Sequence, residues 1–150
     1  VGGFTGTGNI FDNLIAGGAG KDIINGGGGN DILIGGVGAD TLTGGIGVDT
    51  FVLTALGDSG VGALRDIITD FVSGMDKIDF SGIDANTGVA GNQAFAMLGT
   101  GAFFGVAGQL RYDVVGADTI LQGDVNGDGI ADFELQLTGN HTFVAADLLL

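Results

Sequence analysis

Four aspartates, Asp22, Asp31, Asp40 and Asp49, recur at nine-residue intervals, and Asn13 holds the same place one interval earlier. A regular file of carboxylates with no cysteine among them offers oxygen ligands, the chemistry of a hard cation such as Ca²⁺. A second acidic pattern, Asp124-Val-Asn126-Gly-Asp128-Gly129-Ile-Ala-Asp132, matches D-x-N-x-D-G-x-x-D. There, oxygens at alternate positions wrap one cation and Gly129 permits the reversal. Its twelfth position is Leu135 instead of glutamate, so it is not a full EF-hand loop. The same residues equally suit a hairpin turn between Ile120–Gln122 and Phe133–Leu137.

Other chemistry finds less support. Asp66 with Asp70, and Asp76 with Asp79, have the residue types for acid–base work, yet turn anchoring or calcium ligation explains them more simply. His141 is the only histidine, so a Ser-His-Asp triad must pass through it. G-x-S-x-G, H-E-x-x-H and G-x-G-x-x-G do not occur. Gly20-Lys21 lacks the P-loop context, because Ile15 and Asp22 stand where Gly and Ser or Thr are needed. No catalytic site is expected.

The elements that must position the aspartates are legible in the glycines, of which the chain has 33 in 150 residues. Four blocks of nine run Gly17–Asn25, Gly26–Ile34, Gly35–Thr43 and Gly44–Val52, each reading G-G-x-G-x-D-x-U-x with the apolar residue U at Ile24, Leu33, Leu42 or Phe51. A weaker block, Gly8–Ala16, carries Asn13 and Ile15 at the corresponding places. Six glycine-rich residues bend tightly, and the three that follow suit a short strand with one side chain inward. Two blocks then make one coil of a flattened parallel solenoid, with blocks two apart stacked on the same edge. Stacking pairs Asp22 with Asp40, Asp31 with Asp49 and, more weakly, Asn13 with Asp31. Each pair faces a gap that the turn carbonyls also line. A solvated glycine-rich loop or a silk-like segment does not explain the fixed register of aspartate against apolar residue.

Beyond Val52 the composition becomes ordinary. Val61–Phe71 and Lys77–Phe80 read as strands, Asn92–Leu98 as a short helix, and Gln109–Val115, Thr119–Gln122 and Phe133–Leu137 as antiparallel strands. The expectation is an all-β chain: a calcium-bound parallel β-roll over 1–52, then an antiparallel β-rich cap over 53–150, forming one structural unit.

Formal net charge is −14, from 18 acids against four basic residues. Such a surface neutralises phosphates poorly, which argues against nucleic acid and anionic membranes. No apolar run approaches the length of a membrane span, and the first residues lack the pattern of a secretory signal peptide. Without cysteine there is no disulfide framework and no thiolate site.

The repeats resemble the RTX (repeat-in-toxin, hemolysin-type calcium-binding) family. The segment Arg65-Asp66-Ile67-Ile68-Thr69-Asp70-Phe71, followed by Gly74-Met75-Asp76-Lys77-Ile78-Asp79-Phe80-Ser81-Gly82-Ile83-Asp84, is similar to the C-terminal domain of serralysin-type metalloproteases. The resemblance spans about residues 8–150. It implies that calcium is held by repeat carbonyls and the sixth-position aspartate: Gly17, Gly18, Ala19 and Gly20 with Asp22; Gly26, Gly27, Gly28 and Gly29 with Asp31; Gly35, Gly36, Val37 and Gly38 with Asp40; Gly44, Gly45, Ile46 and Gly47 with Asp49. It further implies that Asp58 and Asp66 close the last site. The tail Phe143-Val-Ala-Ala-Asp147-Leu148-Leu149-Leu150 resembles an uncleaved type I (ABC transporter) secretion signal, and also suits a last edge strand. The function implied is non-catalytic: calcium-dependent folding and type I secretion of a Gram-negative exoprotein, with an N-terminal catalytic or effector region as partner. Two alternatives are a polysaccharide-binding module like the R-modules of alginate epimerases, and an adhesin spacer.

Overall fold

A computed structural model describes residues 2–150 of the chain. Five strands build the roll: β1 (Thr5–Thr7), β2 (Leu14–Ala19), β3 (Ile23–Gly28), β4 (Ile32–Val37) and β5 (Thr41–Ile46). Eight follow: β6 (Thr50–Val52), β7 (Asp66–Ile68), β8 (Lys77–Asp79), β9 (Ala96–Met97), β10 (Gln109–Val115), β11 (Asp118–Asp124), β12 (Phe133–Leu137) and β13 (Leu148–Leu149). Odd and even strands of the roll fall into different sheets. One sheet runs β1-β3-β5-β7-β12-β11-β10-β9 and the other β13-β8-β6-β4-β2.

Pairing within the roll is parallel with a register of 18 residues, as in Ile24 with Leu42 and Leu33 with Phe51. Two nonapeptides therefore complete one coil. Each block turns one apolar side chain inward, so Ile24, Leu33, Leu42 and Phe51 are buried in a file between the sheets. The strands are longer than the expected three residues. They continue through the first three residues of the next block, with Gly18 opposite Gly36 and Gly27 opposite Gly45, which leaves only three residues for each turn. Glycine carries no Cβ to oppose this continuation, and every added rung gains hydrogen bonds.

The ladder does not stop at Val52. Strand β7 pairs with β5 on one side and β12 on the other, and β8 bridges β6 and β13. The apolar file continues through Ile68 and Ile78 to a packed group of Phe80, Phe95 and Phe133, with ring centroids 5.6–6.1 Å apart. Strands β10, β11 and β12 are antiparallel, as the alternation predicted.

Two expectations need correction. Val61–Phe71 is not one strand: a 3-10 turn at Gly62–Leu64 precedes β7, because Gly62 adopts a φ of +67° that ends extended structure. Asn92–Leu98 forms no helix. Ala96–Met97 instead adds a short parallel strand to the edge of β10, anchored by buried Phe95. A seven-residue segment has too few turns to sustain a helix against an available sheet edge.

Candidate metal centres

The repeat aspartates form two columns, one on each edge of the roll. On the first edge, Oδ1 of Asp22 accepts from the Phe4 amide at 2.6 Å, Oδ1 of Asp40 from Asp22 N at 2.7 Å, and Oδ1 of Asp66 from Asp40 N at 2.8 Å. On the second, Oδ1 of Asp31 accepts from Asn13 N at 2.7 Å, Oδ1 of Asp49 from Asp31 N at 2.9 Å, and Oδ1 of Asp76 from Asp49 N at 3.0 Å. Each carboxylate thus uses one oxygen to tie its turn to the preceding one on the same edge.

The other oxygen is left over. Oδ2 of Asp22, Asp31 and Asp40 is buried and has no hydrogen-bond partner. It faces the first glycine of its own block, where any Cβ would collide with it. A Cβ on Gly17 would also lie 2.7 Å from the Gly35 carbonyl oxygen, and one on Gly26 2.6 Å from that of Gly44. The unpaired oxygens of Asp22 and Asp31 therefore each share a small cradle with a carbonyl from the block two on. A buried, unpaired carboxylate oxygen costs a good part of its hydration energy. A hard cation coordinated by carboxylate and carbonyl oxygens offsets that cost, so the donor set fits Ca²⁺.

The electrostatics agree. Burial raises the Asp40 carboxyl above its ordinary range, aided by the charges of Asp22 and Asp58 and opposed by the hydrogen bond from the Asp22 amide. Asp49 is raised by burial too, with Asp76, Asp31 and Asp70 adding repulsion. Asp66 is pushed up to about 8, chiefly by burial and then by Asp40, Asp58 and Asp22. Among the described residues only two ion pairs form, Arg65–Glu134 and Arg111–Asp113, so no cationic side chain relieves the columns.

Asp58 and Asp66 both lie beside Asp40. Asp66 continues the column, whereas Oδ2 of Asp58 is spent on the amides of Thr54 and Ala55 and the Thr54 hydroxyl. Sequence reasoning missed Asp76 as a column member. The signal was present: Asp66-Ile-Ile68 and Asp76-Lys-Ile78 keep the D-x-U triplet of the repeats, at offsets of 26 and 27 residues instead of 18. The suggested acid pairs separate. Asp70 binds the amides of Gly44 and Gly45, and Asp79 that of Ser81. Among the described residues, no three acidic or histidine side chains converge into a cluster able to hold an ion.

The Asp124–Asp132 loop joins β11 to β12, and its side chains turn onto its own backbone. Asp124 accepts from Gly127 and Gly129, Asn126 from Asp128, Asp128 from Ile130, and Asp132 from Val125 and the Asn126 amide group. It has no buried unpaired oxygen like those of the repeats. His141 packs edge-on against Phe71 and lies 2.9 Å from the Thr138 carbonyl through Nε2.

No curated protein sequence matches the chain. The family described as peptidase M10 serralysin C terminal matches residues 1–150. The chain belongs to that family. Among solved structures, this serralysin C-terminal chain is similar to two subunits of the mannuronan C5-epimerase from Azotobacter vinelandii. With AlgE6R3 it shares 29% identity at a TM-score of 0.67, covering 97% of this chain and 78% of that one. With AlgE6R2 it shares 34% identity at a TM-score of 0.63, covering 96% and 91%. The β-roll of the family is an RTX module, and RTX modules bind calcium as a class. The orphan oxygens of Asp22, Asp31 and Asp40 are where this chain's own residues agree with that property.

Proposed function

We propose that this chain is a calcium-dependent folding module of a secreted protein, with no catalysis of its own. The observation that carries the reading is the buried, unpartnered Oδ2 of three successive repeat aspartates, each sharing its cradle with a glycine carbonyl or its own block's first glycine. Bound calcium supplies positive charge where the carboxylates crowd. Asp22, Asp31, Asp40 and Asp49 would hold the ions together with the turn carbonyls of their blocks, and Asp66 and Asp76 would close the two columns. Without cations the carboxylates within each column repel one another and the glycines make ordering entropically costly. Four divalent ions would take the formal charge from −14 to about −6.

Sites of this kind outside cells have affinities of ~10⁻⁴–10⁻³ M, so the chain stays loose in a low-calcium cytosol and folds outside. That sequence of events suits type I secretion, with the segment ending in Leu148-Leu149-Leu150 as export signal and an N-terminal effector region as passenger. The expected result of adding calcium to chelator-treated protein is a coil-to-β transition in far-UV circular dichroism, absent with magnesium. A chain already folded in excess chelator and unmoved by calcium would sink the proposal.

A second reading, binding of an acidic polysaccharide, is supported by the likeness to two subunits of an enzyme named for mannuronan. Affinity electrophoresis through gels containing alginate tests it, retardation being the expected result.

A further inference from the structure

Two of the four cationic side chains meet on the outer face of the larger sheet. Arg65 and Arg111, with Asp113, Gln122 and Glu134, line a cleft of about 240 Å³ whose remaining wall is Val115 and Ile120. The polar groups form one chain across β10, β11 and β12. Asp113 accepts from Arg111 at 3.0 Å, Arg111 donates to Gln122 at 2.5 Å, Gln122 donates to Glu134 at 2.8 Å, and Glu134 pairs with Arg65 at 3.3 Å. The Arg111 guanidinium is held further by the Gly101 carbonyl at 2.8 Å and by the Phe103 ring, 5.8 Å away. These side chains are fixed before any ligand arrives. Of the two guanidinium groups Arg65 keeps the most capacity: its Nε is engaged by Gly62 O and Glu134, and its two terminal nitrogens make no hydrogen bond among the described residues.

We infer that this cleft binds a uronate, a hexose ring carrying one carboxylate. Free, planar guanidinium donors match a carboxylate in fork geometry. Arg65 and Arg111 balance Asp113 and Glu134, so the cleft is locally neutral on a molecule of net charge −14. One carboxylate is tolerated there, whereas a doubly charged phosphate beside two fixed carboxylates is not. Asp113 and Gln122 offer acceptors and donors for ring hydroxyls, and Val115 with Ile120 gives the ring's C–H face an apolar wall. The volume holds one sugar unit and is too small for a nucleotide-sized ligand. The site gives the polysaccharide reading a location and rests on that reading, but not on calcium bridging between polymer and roll.

The test is two-dimensional amide NMR of the full chain in saturating calcium, titrated with D-glucuronate, with D-glucose and glucose 6-phosphate alongside. Glucuronate is expected to shift amides of Arg111–Val115 and 119–122 selectively, with glucose and glucose 6-phosphate at least roughly tenfold weaker. Val115→Trp, which fills the cleft from an exposed position, removes those shifts and leaves the remaining spectrum in place. Arg65→Gln weakens them by roughly tenfold. Shifts confined to the glycine turns, glucose binding as well as glucuronate, or no shift at millimolar ligand each overturn the inference. Alginate gels separate the two failures. If both wild type and Val115→Trp are retarded while the cleft amides stay silent, the polysaccharide reading stands and the cleft falls. If the cleft responds but alginate retards neither, the polymer reading falls alone.

Discussion

A single carboxylate in this roll does two jobs with two oxygens. Oδ1 of Asp40 takes the Asp22 amide, and Oδ2 waits for a charge that the protein does not itself provide. A proton can answer that need as well as a cation, which makes pH a probe of the columns. With no cation bound, the Asp66 carboxyl titrates near 8 in the folded chain, and Asp40 and Asp49 are raised in the same direction. Unfolded aspartate titrates near 3.9. A folded-state value above the unfolded one adds stability that is full below about 4 and is lost as pH rises through about 8. In chelator, the chain should therefore hold more β-structure at pH 5 than at pH 9. With calcium the sign reverses, because the ion must displace the proton. Over the pH range in which the chain is already folded in chelator, the calcium midpoint should fall as pH is raised, levelling off once the cation-free chain is unfolded and its carboxyls are ionised. Circular dichroism titrations at several pH values, with proton release measured by calorimetry in buffers of different ionisation enthalpy, check both halves. Calcium binding without proton release at a pH where the chain is already folded in chelator would remove Asp66 from the site.

At the scale of elements, the turns depend on glycine at particular places and not on glycine in general. Gly45 has a φ of +103°, and a Cβ there would run into the Gly27 carbonyl of the neighbouring coil. Gly57 has nothing within 4 Å of the same atom and no left-handed φ. Gly45→Ala should cost roughly 2–4 kcal/mol, from a forbidden dihedral and a steric clash together. Gly57→Ala should stay within about 1 kcal/mol of wild type, on the stabilising side if anything. Thermal melts in saturating calcium compare the two, and equal costs would mean that the coils are not stacked in this register. That register was legible beforehand, because a nine-residue period leaves little freedom in where Asp22, Asp40 and the apolar file must fall. What followed Val52 was harder, since excursions such as Leu53–Arg65 break the period while the D-x-U triplets of Asp66 and Asp76 survive. The Asn92–Leu98 segment could not be settled locally: its Phe95 and Met97 go to a sheet edge that only the fold supplies. The Arg65–Arg111 cleft left no mark in the sequence, because its residues come from three strands and a turn with no shared spacing.

Across the whole molecule the two halves are held by one set of rungs. Strand β8 receives β6 of the roll on one side and β13 of the tail on the other. Buried Asp147 fastens that tail to the turn before β8. It accepts from the Ser73 hydroxyl at 2.6 Å, Gly74 N at 2.6 Å and Val144 N at 2.8 Å. The same turn is closed by Asp76, whose Oδ2 takes Val72 N while its Oδ1 takes Asp49 N of the roll. The path from the second aspartate column to the last residues is thus two short turns long. Asp147→Ala deletes three hydrogen bonds to a buried charge and should cost roughly 3 kcal/mol. If folding and ion binding are one cooperative step, that cost is shared among the ions. With about four of them, the calcium midpoint should rise about threefold. Asp113→Ala, at an exposed carboxylate outside the columns, should leave it in place. Should Asp147→Ala loosen the tail amides to hydrogen exchange without moving the midpoint, roll and tail would fold separately, and calcium on the columns could not govern the order of the chain's last residues.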